Sequence, residues 1–91
     1  MNIYEVYKIL EWWRTKGGKA VVLNDTLIFN YKSDSVVLDL AYSLKNQRLT
    51  IYRMYPDNLR EFLAKKIWDI SEEKLKELLF LIIKAVKMYE L

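Results

Sequence analysis

The sequence predicts a small α+β domain spanning residues 1–91, with an N-terminal helix, a four-stranded antiparallel meander and two C-terminal helices (α-ββββ-αα). Hydrophobic residues recur at three- and four-residue spacings near both ends of the chain, but at every second position between Lys19 and Tyr55. The two glycines stand together where the first helical pattern ends, and the single proline directly follows Tyr55. These residues therefore mark the boundaries between the helical and the strand-like patterns.

A first helix is predicted from Asn2 to Lys16. Asn2 is a favourable N-cap, and Glu5 three residues later completes a capping-box pattern. Gly17-Gly18 supplies the left-handed backbone in which helices commonly end. The helical spacing predicts one buried stripe, formed by Ile3, Val6, Tyr7, Ile9, Leu10 and Trp13.

The central segment predicts four strands joined by short turns. Lys19–Leu23 and Leu27–Lys32 flank turn residues at 24–26, which gives a first hairpin with apolar residues on both of its faces. In the second hairpin, a two-residue loop at 46–47 aligns the apolar faces of both strands. The expected pairs are Leu44 with Leu49, Tyr42 with Ile51, Leu40 with Arg53 and Leu38 with Tyr55.

Two helices are predicted after Pro56. Asn58 and Glu61 form a second capping-box pattern, and the helix they begin buries a stripe comprising Leu59, Phe62, Leu63, Ile67 and Ile70. Ser71 is a favourable N-cap for the last helix, which is predicted to end near Tyr89.

Composition excludes several kinds of chemistry. The chain has no cysteine and no histidine, so it lacks disulfides, thiolate nucleophiles and the commonest general base and metal ligand. We therefore expect a protein that is not an enzyme and that needs no cofactor or metal. It shows no secretory signal, and its longest apolar run near the C-terminus, Leu78–Ile83, is too short to span a membrane. A cytoplasmic location is expected, and the residue usage resembles that of thermophilic proteins.

The apolar content exceeds what one small core requires, because minor faces of the sheet and of the last helix are also apolar. Three helices could cover both faces of the sheet within a monomer. The sequence favours the other interpretation, in which part of this surface contacts another chain, in a homo-oligomer such as a dimer or with a protein partner. The candidate interface residues are Trp12, Val37, Tyr52, Met54, Phe80, Leu81 and Met88.

The alternative function is nucleic-acid binding. The net charge of +3 arises before Pro56, where eight basic residues stand against five acidic ones, while seven of each follow. Surfaces that bind nucleic acids typically combine basic side chains, which contact the phosphates, with aromatic rings, which stack on the bases. The candidate contacts are Arg14, Lys16, Lys19, Lys32, Arg48 and Tyr52. Arg53 is expected either to reach the rim of the core or to pair with Asp69 or Glu61.

Overall fold

The computed structural model describes residues 1–59 and 61–91, with every side chain in these ranges except that of Phe62. It confirms an α+β fold that begins with a helix, continues as an antiparallel sheet and ends with a helix. The sheet has five strands in chain order. The elements are α1 (Ile3–Thr15), β1 (Lys19–Leu23), β2 (Thr26–Lys32), β3 (Val37–Ser43), β4 (Arg48–Tyr55), a 3-10 helix (Glu61–Ala64), β5 (Ile67–Asp69) and α2 (Glu72–Tyr89).

The predicted helix after Asn58 is wrong. In its place the chain forms the 3-10 helix and then β5, which adds a fifth strand to the sheet beside β4. Backbone hydrogen bonds from Ile51 to Lys66 and from Ile70 to Gln47 hold this segment against β4. Leu59 and Leu63 are buried as predicted, whereas Ile67 is half exposed on β5. The predicted role of Phe62 lies outside the described side chains.

The two remaining helices begin where the sequence predicts. The Asn2 side chain accepts a hydrogen bond from the backbone N–H of Glu5 at 2.9 Å, and the Ser71 hydroxyl accepts one from Lys74 at 3.3 Å. Gly17 has a φ of +100°, so the left-handed exit from α1 is confirmed. Ile3 and Tyr7 were expected in the buried stripe but are exposed, so the buried face of α1 is narrower and consists of Val6, Ile9, Leu10 and Trp13.

The first hairpin forms between β1 and β2 with a two-residue turn at Asn24-Asp25, so β2 begins one residue earlier than predicted. Leu23 lies opposite Thr26 and Val22 opposite Leu27, with a turn at Asn24, whose φ is +56°. Asparagine tolerates this left-handed conformation better than most residues. Both faces of the hairpin are therefore apolar, as the sequence indicates.

The second hairpin differs from the predicted register. Its loop spans residues 44–47, so Tyr42 lies opposite Leu49 and Leu40 opposite Ile51. A bulge between Leu40 and Asp39 then shifts the pairing by one residue. Beyond the bulge Leu38 lies opposite Met54 and Asp39 opposite Arg53. Arg53 consequently lies on the exposed face of the sheet rather than on the core face.

Both helices cover the same face of the sheet. Trp13 of α1 meets Phe29 of β2 edge to face, with ring centroids 5.3 Å apart. On the same side, the Tyr42 hydroxyl donates to the carbonyl of Ile70, which directly precedes α2. The largest fully buried side chains between the layers are Trp13, Tyr42, Phe29, Leu10, Leu27, Leu38, Leu40, Leu49, Leu59, Leu63, Leu75 and Leu79. The opposite face, called the outer face below, has neither α1 nor α2 against it.

None of the helices formed by the described residues combines the length and the hydropathy needed to cross a membrane.

Candidate functional site

The outer face carries a row of small and apolar side chains across the whole sheet. Strand pairing aligns one residue from each strand in this row, called the central row: Val21, Ile28, Ala41, Thr50 and Ile67. Val21 and Ile67, at its two ends, are 47% and 50% exposed. The central row is therefore a continuous, largely apolar strip that runs at right angles to the strands.

Charged pairs lie on both sides of the central row. On one side Arg53 Nε lies 3.4 Å from Asp39 Oδ2, and Asn30 donates to Asp39 Oδ1 at 2.7 Å. On the other side Arg48 Nε donates to Asp69 Oδ1 at 2.7 Å. Arg53 was expected to reach the rim or to pair with Asp69 or Glu61, but the bulge in β4 places it beside Asp39. These arginines are each neutralised by a neighbouring carboxylate on the same face.

Two of the predicted interface residues lie on the outer face and one does not. Tyr52, at the bulge, is strongly exposed, and Val37 is half buried at one end of β3. Met54 was predicted for this face, but it is 3% exposed and belongs to the core. The bulge is the cause, because it moves Met54 onto the core face opposite Leu38.

The other predicted interface residues lie on α1 and α2, which are together called the helical layer. Trp12 of α1 and Phe80 of α2 stack on each other, with ring centroids 6.5 Å apart and an interplanar angle of 28°. Beside them is a recess of about 320 Å³ that Lys8, Ile9 and Lys76 also line. Phe80 thus joins the two helices at the surface and forms part of the wall of this recess.

A second recess of about 420 Å³ continues from Phe80 toward the end of α2. The two recesses together form what we call the interhelical groove, lined by Lys8, Ile9, Trp12, Lys16, Lys76, Phe80, Ile83, Lys84, Lys87, Met88 and Leu91. Its charged side chains are all lysines. Leu81 is also exposed on α2 but does not line the groove.

Each helix presents an aromatic residue between two lysines at four-residue spacing. The pattern is Lys8, Trp12 and Lys16 along α1 and its C-cap, and Lys76, Phe80 and Lys84 on α2. Residues four apart lie on one face of a helix, so each aromatic ring has a lysine one turn before it and another one turn after it. Lys16 Nζ lies 5.8 Å from the centre of the Trp12 ring, a cation–π distance.

A hydrogen-bonded cluster lies at the end of the groove. Lys87 Nζ donates to the Lys16 carbonyl at 3.2 Å and to the Tyr31 hydroxyl at 3.3 Å, and lies 3.6 Å from Glu90. Burial opposes ionisation of Glu90, but hydrogen bonds from Ser33 and Tyr31 and the charge of Lys87 outweigh it and lower its pKa. The pKa of Tyr31 is raised, first by burial and then by its bond to Glu90. Lys87 is thus already bound within the protein.

The six predicted nucleic-acid contacts do not form one surface. Lys16 lies on the helical layer, while Lys19, Lys32, Arg48 and Tyr52 lie on the outer face or its edge. Two of the six are used within the protein: Arg48 pairs with Asp69, and Arg14 donates from Nε and Nη2 to the Ala20 carbonyl at 3.1 and 2.5 Å.

Sequence reasoning missed Lys8, Lys76 and Lys84. The signal that could have found them is the lysine–aromatic–lysine pattern, which appears once on each of the two helices. Within the described part of the chain, no three Asp or Glu residues lie together in a group that could hold a metal ion. Comparison with protein-family models, curated proteins and solved structures gives no match.

Proposed function

We propose that this protein is a non-enzymatic assembly module that forms a homodimer through the outer face of its sheet. The observation that supports the proposal most strongly is the central row, which crosses all five strands on the face that α1 and α2 leave uncovered. An antiparallel sheet exposed on one side ordinarily alternates apolar residues inside with polar residues outside. Here Val21, Ile28 and Ile67 interrupt that alternation.

Burying the central row against another chain stabilises the pair through the hydrophobic effect. Contiguous apolar patches exposed on a sheet are typical of protein contacts. Tyr52 adds a strongly exposed aromatic ring next to the row, and tyrosine is enriched at protein interfaces because its ring is apolar and its hydroxyl is polar.

Charge favours a second copy as the partner on this face. The arginines beside the central row are paired with Asp39 and Asp69, while Lys19 and Lys32 lie toward the edge of the face, so two copies that meet on the central row bring together charges of mixed sign. The interhelical groove has the opposite character. Self-association through it would bring lysines against lysines, which like-charge repulsion disfavours.

Sedimentation velocity over a concentration series tests the proposal. We expect wild-type protein to form a dimer, and Val21→Lys to weaken dimerisation by at least about tenfold, because it places an unpaired charge in the buried row. Leu81→Lys is the matched control, since Leu81 is 48% exposed on the helical layer and Val21 is 47% exposed on the sheet. We expect the control to dimerise as wild type does.

Two results would contradict the proposal. A wild-type protein that stays monomeric at high micromolar concentration has no self-association for the outer face to mediate. A dimer that Leu81→Lys disrupts and Val21→Lys leaves intact uses the helical layer instead.

A further inference from the structure

We infer that the interhelical groove binds an acidic amphipathic helix of another protein. This goes beyond the proposed dimer, because the groove lies on the opposite side of the molecule from the outer face.

The shape of the groove fits a helix. Along α2 the lining residues of the first recess centre near residue 78 and those of the second near residue 84. At 1.5 Å per residue the centres of the two recesses are therefore about 10 Å apart, close to the rise between residues i and i+7 of a partner helix. Apolar anchors at i, i+3 or i+4, and i+7 are the usual means by which an amphipathic helix binds a groove.

The apolar parts of the groove can receive those anchors. Ile9, Trp12 and Phe80 line the first recess, and Phe80, Ile83 and Met88 line the second. Phe80 is 57% exposed and stands between the recesses. Aromatic residues in this position commonly supply much of the energy of a protein interface.

The charge of the groove selects an acidic partner. Lys8, Lys16, Lys76 and Lys84 form no salt bridge within the described part of the chain. Two carboxylates next to the groove are engaged elsewhere, because Glu11 lies 3.5 Å from Arg14 and Glu77 lies 3.5 Å from Lys74. Glu5 and Glu73 line a separate recess on the other side of Lys76.

The four lysines flank the aromatic pair from both helices. Glutamates or aspartates on the two flanks of a bound helix would lie within reach of them. Such complementary charges raise the rate of association and exclude basic partners.

The arrangement of the aromatic rings favours a peptide over a nucleic acid. Surfaces that bind single strands offer ring faces on which bases stack. Here Trp12 and Phe80 stack on each other, and Lys16 lies over the Trp12 ring, so Trp12 is already engaged within the protein and, of these two rings, only Phe80 is left exposed.

Fluorescence anisotropy with designed peptides tests the inference. The probe is a labelled helical peptide of about 15 residues, with leucines at i, i+4 and i+7 and glutamates on both flanks. The comparison peptide has lysine at every glutamate position. We expect the acidic peptide to bind at least about tenfold more tightly, and added salt to weaken its binding.

Variants of the protein assign the binding to the groove. Phe80→Ser is expected to lower the affinity for the acidic peptide by at least about tenfold. The matched control is Leu23→Ser, because Leu23 is 59% exposed on the outer face, and it should bind as wild type does. The double variant Lys76→Glu/Lys84→Glu leaves two lysines against two glutamates on the flanks, so it should remove the preference for the acidic peptide.

Three outcomes would overturn the inference: equal binding of the acidic and basic peptides, binding that Phe80→Ser leaves unchanged, and a double variant that keeps the acidic preference. Oligothymidylate and vesicles containing phosphatidylserine serve as competing probes. If either binds more tightly than the peptide and loses binding in Phe80→Ser, the groove serves a nucleic acid or an anionic lipid surface instead.

The result can be separated from a failure of the proposed dimer. Val21→Lys alters the outer face and leaves every groove residue in place, so it should bind the acidic peptide as wild type does. A protein that is monomeric and still binds the peptide refutes only the proposed dimer. A protein that dimerises but does not bind the peptide refutes only the proposed groove function.

Discussion

The hydroxyl of Tyr31 lies 2.7 Å from Oε1 and 2.6 Å from Oε2 of Glu90, and this contact joins β2 to the residue that follows α2. The two residues are 59 positions apart, so the bond connects segments that are distant in the sequence. Lys87 contacts both groups and also the carbonyl of Lys16 at the end of α1. The C-terminal end of α2 is thereby tied to the sheet and to α1 at once.

Removing the Tyr31 hydroxyl tests this connection. We expect Tyr31→Phe to lower the free energy of unfolding by about 1.5–3 kcal/mol, the range for hydrogen bonds to charged groups. Tyr42→Phe is the control, because the Tyr42 hydroxyl donates to the neutral carbonyl of Ile70, a class of bond that contributes about 0.5–1.5 kcal/mol. Urea denaturation measures both variants, and an equal or smaller loss in Tyr31→Phe would contradict the prediction.

Glu90 should make the stability depend on pH in the acidic range. Its pKa in the folded protein lies below the ordinary value of 4.5, so unfolding takes up a proton as the pH falls. The stabilisation is therefore complete above pH 4.5 and is lost as the pH falls through the folded pKa. We expect Glu90→Gln to be less stable than wild type near neutral pH and to show a smaller loss between neutral and acidic pH. Urea midpoints that fall in parallel for both proteins would refute the assignment.

Gly18 is required because the Trp13 side chain and the Asn30 backbone approach it closely, and not because of its backbone conformation. A Cβ atom at this position would collide with the indole nitrogen of Trp13 and lie 2.6 Å from the Asn30 carbonyl oxygen. These two groups are themselves hydrogen-bonded at 2.9 Å. We expect Gly18→Ala to lower the free energy of unfolding by at least about 2 kcal/mol, because it overpacks the site and displaces this bond.

Gly17→Ala is the control for Gly18. A Cβ atom at Gly17 would meet only ordinary contact distances, the nearest being 3.7 Å to Tyr31, but the φ of +100° disfavours alanine. Its cost should be smaller, about 1 kcal/mol, the preference for glycine in a left-handed conformation. Thermal unfolding of the two variants gives the comparison, and a larger loss in Gly17→Ala would show that Gly18 is not tightly enclosed.

Local signals predicted the parts of the fold that local interactions determine. Asn2 and Ser71 cap their helices through a backbone N–H three residues away, and Asn24 adopts the turn conformation that its side chain favours. The segment after Asn58 was mistaken for a helix because β5 is three residues long and is held by contacts with β4. Those contacts, which include the pair Arg48 and Asp69, join residues far apart in the sequence and leave no periodic pattern.

The sequence also predicted the candidate surfaces only in part. Exposure of Phe80, Leu81 and Met88 follows from helical spacing, since these residues lie off the buried stripe of α2, whereas Trp12 is partly buried against the core. The misplacement of Met54 arises from the bulge in β4, which strict alternation cannot reveal. The groove as a unit required the structure, because its halves come from helices at opposite ends of the chain and meet through the stacked pair Trp12 and Phe80.

The central claim is that a second copy covers the outer face, and the alkylation rate of single cysteines tests it most directly. The chain has no cysteine of its own, so Val21→Cys and Leu81→Cys each introduce one thiol, at sites of nearly equal exposure. We predict that alkylation of Val21→Cys slows as the protein concentration rises, because dimerisation covers the thiol, while Leu81→Cys reacts at a constant rate. An alkylation rate of Val21→Cys that does not change with protein concentration, or slowing at Leu81→Cys alone, would contradict the claim.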